Sequence, residues 1–308
     1  MAEQSAYCST FNPDASENVA YNNPLFPLYV RYGILSAYPN YSAISHWHDD
    51  LEFILIKKGR MTYNVNGTLI DLAEHTGILV NSRQLHYGFS AEHQECEFLC
   101  ILFSPEIFHG NPWFYEHLIE PITENTACPC LYLSGHGWQK TILEHLDALY
   151  RFFQEAPDQP PAQPDAYFDL FGCLTAILKI LYQNLPAQQP ASAAESQELA
   201  ALKAMISYIE EHFSGHLTLQ DIANAGACCK SKCSLLFRKY LRDTPISYLT
   251  KLRLRNSITA LLGSDACITD IALEYGFGGA SYYCETFRKY YGISPLQYKK
   301  KFAQDSPM

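Results

Sequence analysis

ITDIALEYGFGGASYYCETFRKYYG, residues 268–292, sets a short apolar-periodic stretch, a glycine turn and a second amphipathic stretch in immediate succession. Ile268, Ile271 and Ala272 recur at helical spacing, Gly276 supplies the turn, and Tyr283, Phe287 and Tyr290 or Tyr291 give the next helix one inward face. That is the pattern of a helix-turn-helix, whose second helix keeps its other face free for a DNA major groove. The layout repeats upstream in LTLQDIANAGACCKSKCSLLFRKYL, residues 217–241. There Leu219 and Ile222 form the first apolar face, Gly226 and Ala227 the turn, and Cys233, Leu236, Phe237 and Tyr240 the inward face of the second helix. The matching pieces LLFRKYL and ETFRKYYG lie about 50 residues apart, an internal repeat that chance explains poorly. Between them ISYLTKLRLRNSITALLGS reads as one helix of about 18 residues, a rod of roughly 27 Å, long enough to set two recognition helices in successive major grooves.

Charge agrees with this division. Residues 199–308 carry 14 Lys and Arg against 9 Asp and Glu, whereas residues 1–198 carry 8 against 23, so the net charge of −10 hides a basic C-terminal module. A basic module attracts polyanions and an acidic one repels them, which places nucleic acid at one end only. The eleven cysteines are odd in number and scattered, without the even framework of a secreted disulfide scaffold. The opening MAEQSAYCSTFNPD lacks a signal-peptide pattern and no stretch reaches the roughly 20 apolar residues of a membrane span, so a cytoplasmic protein with no membrane partner is expected.

Upstream, LYVRYGIL, LEFILI, RMTYNV, TLIDL, GILV and CEFLCILF are short strand-like runs between turn residues, crowded enough to imply a sandwich or barrel. RMTYNV-NG-TLIDL is the clearest hairpin, with Asn66-Gly67 suited to a type I′ turn and Met61, Tyr63 and Val65 on one face. After TENTACPCLYLSG the period becomes helical. Leu143, Leu146, Tyr150 and Phe153, then Phe168, Phe171, Leu174, Leu178 and Leu181, predict an antiparallel helix pair, one member of which can also form a dimer seam. LPAQQPASAAESQE, residues 185–198, lacks apolar periodicity and reads as a linker, giving domains over 1–184 and 199–308.

HWHDDLEFILIKKG, residues 46–59, places His46, His48 and Glu52 ahead of an apolar strand, and GILVNSRQLH adds His86. On a regular strand His46 and His48 point the same way, with Trp47 facing outward, and imidazole with carboxylate suits Fe, Mn, Ni or Zn. A pocket that holds a small ligand without metal fits the same residues and is the favoured reading, with Arg31, Phe53 or Ile54, Tyr63 and Tyr87 as further wall candidates. No cofactor is then expected, and a divalent metal on His46, His48, Glu52 and His86 is the alternative. Cys228, Cys229 and Cys233, like the pairs Cys96/Cys100 and Cys128/Cys130, are read as small core residues rather than a redox or metal switch.

The segment 199–303 resembles the paired helix-turn-helix domain of the AraC/XylS family of transcription regulators, most densely through RLRNSITALL, ITDIALEYGF and TFRKYYGISPLQYKK. The N-terminal part resembles the two cupin motifs, in which three His and one Glu converge inside a β-barrel. The second motif departs from the pattern at Asn81, Arg83 and Ser90. The resemblance implies two domains: a mainly β cupin-like barrel with a helix pair, and an all-α domain of two helix-turn-helix units joined by a long helix. It also implies a dimeric, non-enzymatic regulator that binds promoter DNA, works with RNA polymerase and activates in response to a small effector, a sugar by default. The effector site would comprise Arg31, His46, His48, Glu52, Tyr63 and His86. By motif position, base contacts would fall to Ser231, Lys232, Ser234 and Leu235 in the first unit and Ser281, Tyr282 and Glu285 in the second. Phosphates would meet Lys230, Arg238, Lys239, Arg288 and Lys289. Leu235 and Glu285 stand where the family commonly has Arg, so a bidentate Arg contact to guanine is absent at both places. A metal-dependent cupin enzyme carrying a DNA-binding domain is the competing reading, and a structural DNA organiser a third.

Overall fold

A computed structural model describes residues 10–12, 16–23, 25–154, 163–188 and 192–302, and the chain divides into two units at Ser192/Ala193. The N-terminal unit contains strands β1 (Leu28–Ile34), β2 (Leu51–Val65), β3 (Thr68–Ala73), β4 (Gly77–Val80), β5 (His86–Phe89), β6 (Cys96–Phe103) and β7 (Cys130–Leu133), then helices α1 (Gly137–Arg151) and α2 (Ala166–Asn184). LEFILI and RMTYNV, expected as separate strands, are two halves of β2. The ladder shifts register between Ile56 and Lys58, and Gly59 bends the strand with φ 80°, where a Cβ would collide with the Glu95 carbonyl. One half of β2 lies in the sheet β1-β6-β2-β4-β7; the other pairs with β3 and β5. A single strand thus serves two sheets and folds them over one interior. The β2–β3 hairpin turns through Asn66 and Gly67 at φ 49° and 83°, as the Asn-Gly pair requires.

Alternation sorts the side chains of the five-stranded sheet. Leu51, Phe53 and Leu55 face α1 and α2 with Val30, Leu79, Leu99, Ile101 and Phe103. Ile54 and Ile56 face the interior with Met61, Tyr63, Val65, Ile78, Val80 and Phe98. Of the two wall candidates, Phe53 is therefore core beneath the helices and Ile54 faces the barrel interior. α1 buries Leu143 and Leu146, with Phe153 just beyond its end, and α2 buries Leu170, Leu174, Ile177, Leu178 and Leu181. Phe168 is 84% exposed and Phe171 39%, so the buried stripe of α2 begins at Leu170 rather than at those aromatics. Short helical turns between Pro105 and Thr123 add Phe108, Ile119 and Ile122 to the core shared with α1 and α2.

The C-terminal unit is helical: α3 (Ala193–His212), α4 (Leu219–Ala225), α5 (Lys230–Leu236), α6 (Pro245–Gly263), α7 (Ile268–Glu274), α8 (Ala280–Tyr291) and α9 (Pro295–Phe302). α3 begins inside the stretch expected to be linker: AAESQE continues directly into LAALKAMISYI, whose Leu202, Met205, Ile206 and Ile209 are buried and carry the helix back past its apolar part. Thr218 and Asp221 form a reciprocal capping box at the start of α4. α5 continues into one wider π-type turn, Phe237–Leu241, whereas α8 runs straight to Gly292 at φ 78°. Cys233, Leu236, Phe237 and Tyr240, and Tyr283 and Phe287, are buried at the inward positions. Among the described residues no helix is long and apolar enough to cross a membrane, and no described cysteine is in a disulfide.

Candidate effector site and DNA-binding face

His46, His48, Glu52 and His86 come together inside the barrel from three places in the chain. Glu52 is at the start of β2 and shares a face with Ile54; across the sheet it is paired with Leu102 and Val80. His86 opens β5, opposite Val65. His46 and His48 are not on a regular strand. They sit in the extended approach to β2, pinned by a bridge in which His46 N donates to His86 O at 3.1 Å and His86 N to His46 O at 2.9 Å. One ligand atom from each of the four side chains lies within 4.8 Å of the others, with ring centroids of His46 and His86 4.3 Å apart. His48 Nε2 and His86 Nε2 stand 3.4 and 3.3 Å from Glu52 Oε2.

The surrounding groups fix these orientations. The Nδ1 atoms of His46 and His86 lie 2.8 Å from the carbonyls of Ile44 and Gln84. A carbonyl only accepts, so both Nδ1 atoms carry hydrogen and both Nε2 atoms are turned into the cluster. Tyr63 Oη donates to Glu52 Oε1 in a short hydrogen bond, which leaves Oε2 to the imidazoles. Burial alone would raise the Glu52 pKa, but the nearby His86 and the hydrogen bonds from His48 and His86 hold it well below the usual carboxylate range. Burial dominates at His46 and lowers its pKa; at His48 burial is outweighed by Glu52 and the pKa rises. Burial, then the Glu52 charge, pushes Tyr63 well up, so it keeps its proton as donor. The Nδ1 of buried His48 has no hydrogen-bond partner among the described residues. Three imidazoles and an anionic carboxylate converge here, with outer hydrogen bonds on His46, His86 and Glu52, and this donor set fits a divalent cation.

Other expected wall residues separate. Arg31 shares the interior face of β1 with Tyr29, its guanidinium 5.4 Å from that ring's centroid, in the same row as Cys100 and Ile54. Tyr87 alternates away from His86 and accepts from Asn64 Nδ2 at 3.2 Å, so it is not part of the cluster. Trp47 is buried, not outward: residues 16–18 cover this edge, with Glu17 N donating to Trp47 O at 2.7 Å. That cover also brings in Glu17, whose carboxylate stands 3.3 Å from His46 Nε2. No sequence motif marks Glu17; its place follows from packing across the barrel mouth. The departures in the second motif have structural roles. Asn81 Nδ2 donates to the carbonyls of Ile122 and Cys128, and Arg83 keeps a glycine-like φ of 62° while its Nε bonds Asp49 Oδ1 at 2.6 Å.

On the C-terminal unit, Lys230, Ser231, Leu235, Arg238 and Lys239 of the first unit and Ser281, Tyr282, Glu285, Arg288 and Lys289 of the second are exposed, while Lys232 and Ser234 are half-buried. Ala227 holds φ 48° where the second unit has Gly276 at 78°, and Cys229 caps α5 without a side-chain hydrogen bond. Burial pushes the Cys233 thiol up to about 11 and Cys96 to about 12, as for core residues, whereas Cys228 is half-buried and Cys229 is exposed at the start of α5, so the core reading fails for Cys229.

A ligand-binding β-barrel joined to two helix-turn-helix units defines an effector-controlled, DNA-binding transcription regulator. Comparison with known proteins agrees: residues 28–114 match the AraC-like ligand binding domain and residues 222–301 the helix-turn-helix domain. The chain belongs to the AraC family of transcription regulators. It is 29% identical over 259 residues to the uncharacterized HTH-type transcriptional regulator YdeC of Bacillus subtilis, covering 83% of this chain and 85% of that protein. It is 33% identical over 96 residues to the melibiose operon regulatory protein of Escherichia coli, 31% of this chain and 32% of the other. The crystal structure of an apo ToxT point variant from Vibrio cholerae aligns over 91% of this chain and 99% of its own at 14% identity, with a TM-score of 0.47.

Proposed function

We propose that the protein is a cytoplasmic, homodimeric activator that reads two neighbouring major-groove segments of a promoter through α5 and α8, and that its effector is held at His46, His48, Glu52 and His86 around a divalent transition metal. The carrying observation is the convergence of four donor side chains, three of them held by outer hydrogen bonds, in the barrel of a DNA-binding chain. An oxygen-rich effector suits such a centre, and a sugar acid in particular would find Arg31 on the same interior face as Glu52. Tyr63, hydrogen-bonded to Glu52, holds the carboxylate and completes the site. In the DNA-binding unit, Ser231, Lys232, Ser234, Leu235, Ser281, Tyr282 and Glu285 face bases, and Lys230, Arg238, Lys239, Arg288 and Lys289 face phosphates. α6, at 19 residues, spans about 28 Å, close to the roughly 34 Å between successive major grooves on one DNA face. The exposed Phe168 and Tyr182 on α2 support a dimer seam there. RNA polymerase is the expected partner of the DNA-bound activator.

Footprinting of the full-length protein on its own upstream region, with sugars and sugar acids added in turn, tests this reading. Protection of two segments about one helical turn apart, changed by one of the ligands, is expected; protection that follows no sequence and answers to none of them opposes it. The enzyme reading gains from the complete donor set and stands or falls separately, on turnover of the effector by metal-loaded protein.

A further inference from the structure

Glu198 lies in the second turn of α3, the first helix after Ser192, and reaches the recognition helix of the first helix-turn-helix. One carboxylate oxygen meets Lys232 Nζ; the other accepts from Lys239 Nζ at 2.8 Å and from Tyr240 Oη at 3.0 Å. Lys239 is further held 4.7 Å above the Tyr240 ring. A single anion thus takes up two cations of the face assigned to DNA, in the way a backbone phosphate would. The second unit has no counterpart among the described ion pairs, since Arg288 and Lys289 appear in none.

We propose that Glu198 is an internal phosphate mimic that masks Lys232 and Lys239 and so sets the DNA specificity of the first helix-turn-helix. The proposal rests on the assignment of both lysines to the DNA face. Random DNA offers phosphates but no base contacts, so it must displace Glu198 without compensation, whereas an operator supplies base contacts to α5 as well. The carboxylate therefore lowers non-specific affinity more than specific affinity. Because Glu198 is within six residues of the start of α3, fraying of that helix end frees both lysines.

Fluorescence anisotropy of the full-length protein on a random duplex and on its selected operator, across roughly 50–200 mM salt, tests this. In E198Q the slope of log K against log salt on random DNA steepens by about 0.9 for each freed lysine that meets a phosphate, Lys239 by its assignment and Lys232 where no base contact holds it, which is roughly threefold more affinity lost per lysine over that range. The operator-to-random ratio falls in the same variant. An unchanged or shallower slope overturns the proposal, the latter meaning that Glu198 orients the lysines onto phosphates. The K232A/K239A double variant, with Glu198 in place, keeps the wild-type slope on random DNA because the masked lysines meet no phosphate there; a slope shallower by about 0.9 for each lysine would mean that the carboxylate does not mask them and would overturn the proposal. In the triple variant the E198Q effect disappears; its persistence would mean that only net charge matters and would sink the mimic.

Discussion

Ala227 and Gly276 hold the same turn position in the two helix-turn-helix units, both with left-handed backbone, at φ 48° and 78°. The repeat of backbone conformation is closer than the repeat of sequence, and the cost falls on the alanine. An L residue in this region loses about 1 kcal/mol relative to glycine. A227G should therefore raise the stability of the C-terminal unit by about 1 kcal/mol in urea unfolding of the full chain. G276A should cost more than that, because its Cβ would lie 2.8 Å from the Ser214 carbonyl and 2.9 Å from Arg253 Nε, itself bonded to the Phe213 carbonyl. Equal and opposite effects would show that the Arg253 staple yields freely.

The helix layer gives a second contrast. L174A removes a fully buried side chain between the sheet and α2 and should cost about 2–5 kcal/mol. F168A, at a position 84% exposed, should change stability by less than about 0.5 kcal/mol in dilute protein. If F168A also weakens dimerisation by sedimentation, the exposed aromatic face of α2 is the seam. A large loss of monomer stability in F168A would instead restore the helical phase expected from sequence.

Specificity should be unequal between the two units. Glu285 is exposed on α8 and can accept from a cytosine N4, so E285A should relax preference at one base pair by about 1–3 kcal/mol in a binding-site selection. Ser234 is half-buried on α5, the same helix whose Lys232 is engaged by Glu198, and S234A should alter the selected sequence less. Equal loss from both would contradict the division of labour.

Much of this was legible in the sequence, and what was missed has physical reasons. The helix-turn-helix repeat could be read because inward residues, turn and spacer all fall at helical periods, and Cys233, Phe237, Tyr283 and Phe287 are buried where the pattern put them. The quartet His46, His48, Glu52 and His86 could be read because the cupin motifs fix the spacing of the donors along the chain, although only Glu52 and His86 lie on strands. Trp47 and Glu17 could not, because only a long-range contact of residues 16–18 with the barrel mouth decides their places. Leu170 in place of Phe168 was a matter of helical phase in a segment apolar nearly all round, where periodicity discriminates poorly. Glu198 was hidden because the low-complexity run before it gave no sign that a helix began at Ala193.

Tyr63 supplies the outer support of the barrel site. Y63F keeps the ring and removes the hydrogen bond to Glu52, freeing the carboxylate to rotate. Metal affinity, measured by competition with a chromophoric chelator, should fall about 10–100-fold while the fold is retained. Unchanged affinity would place Tyr63 outside the working site.

Elemental analysis of the full-length protein, purified without chelator, tests the barrel site most directly. About one equivalent of a first-row transition metal is expected, lost in the H46A/H86A variant and restored to the wild-type chain with a rise in melting temperature. Less than about a tenth of an equivalent, with no thermal response to added Fe, Mn, Ni or Zn, would contradict a metal-centred effector site.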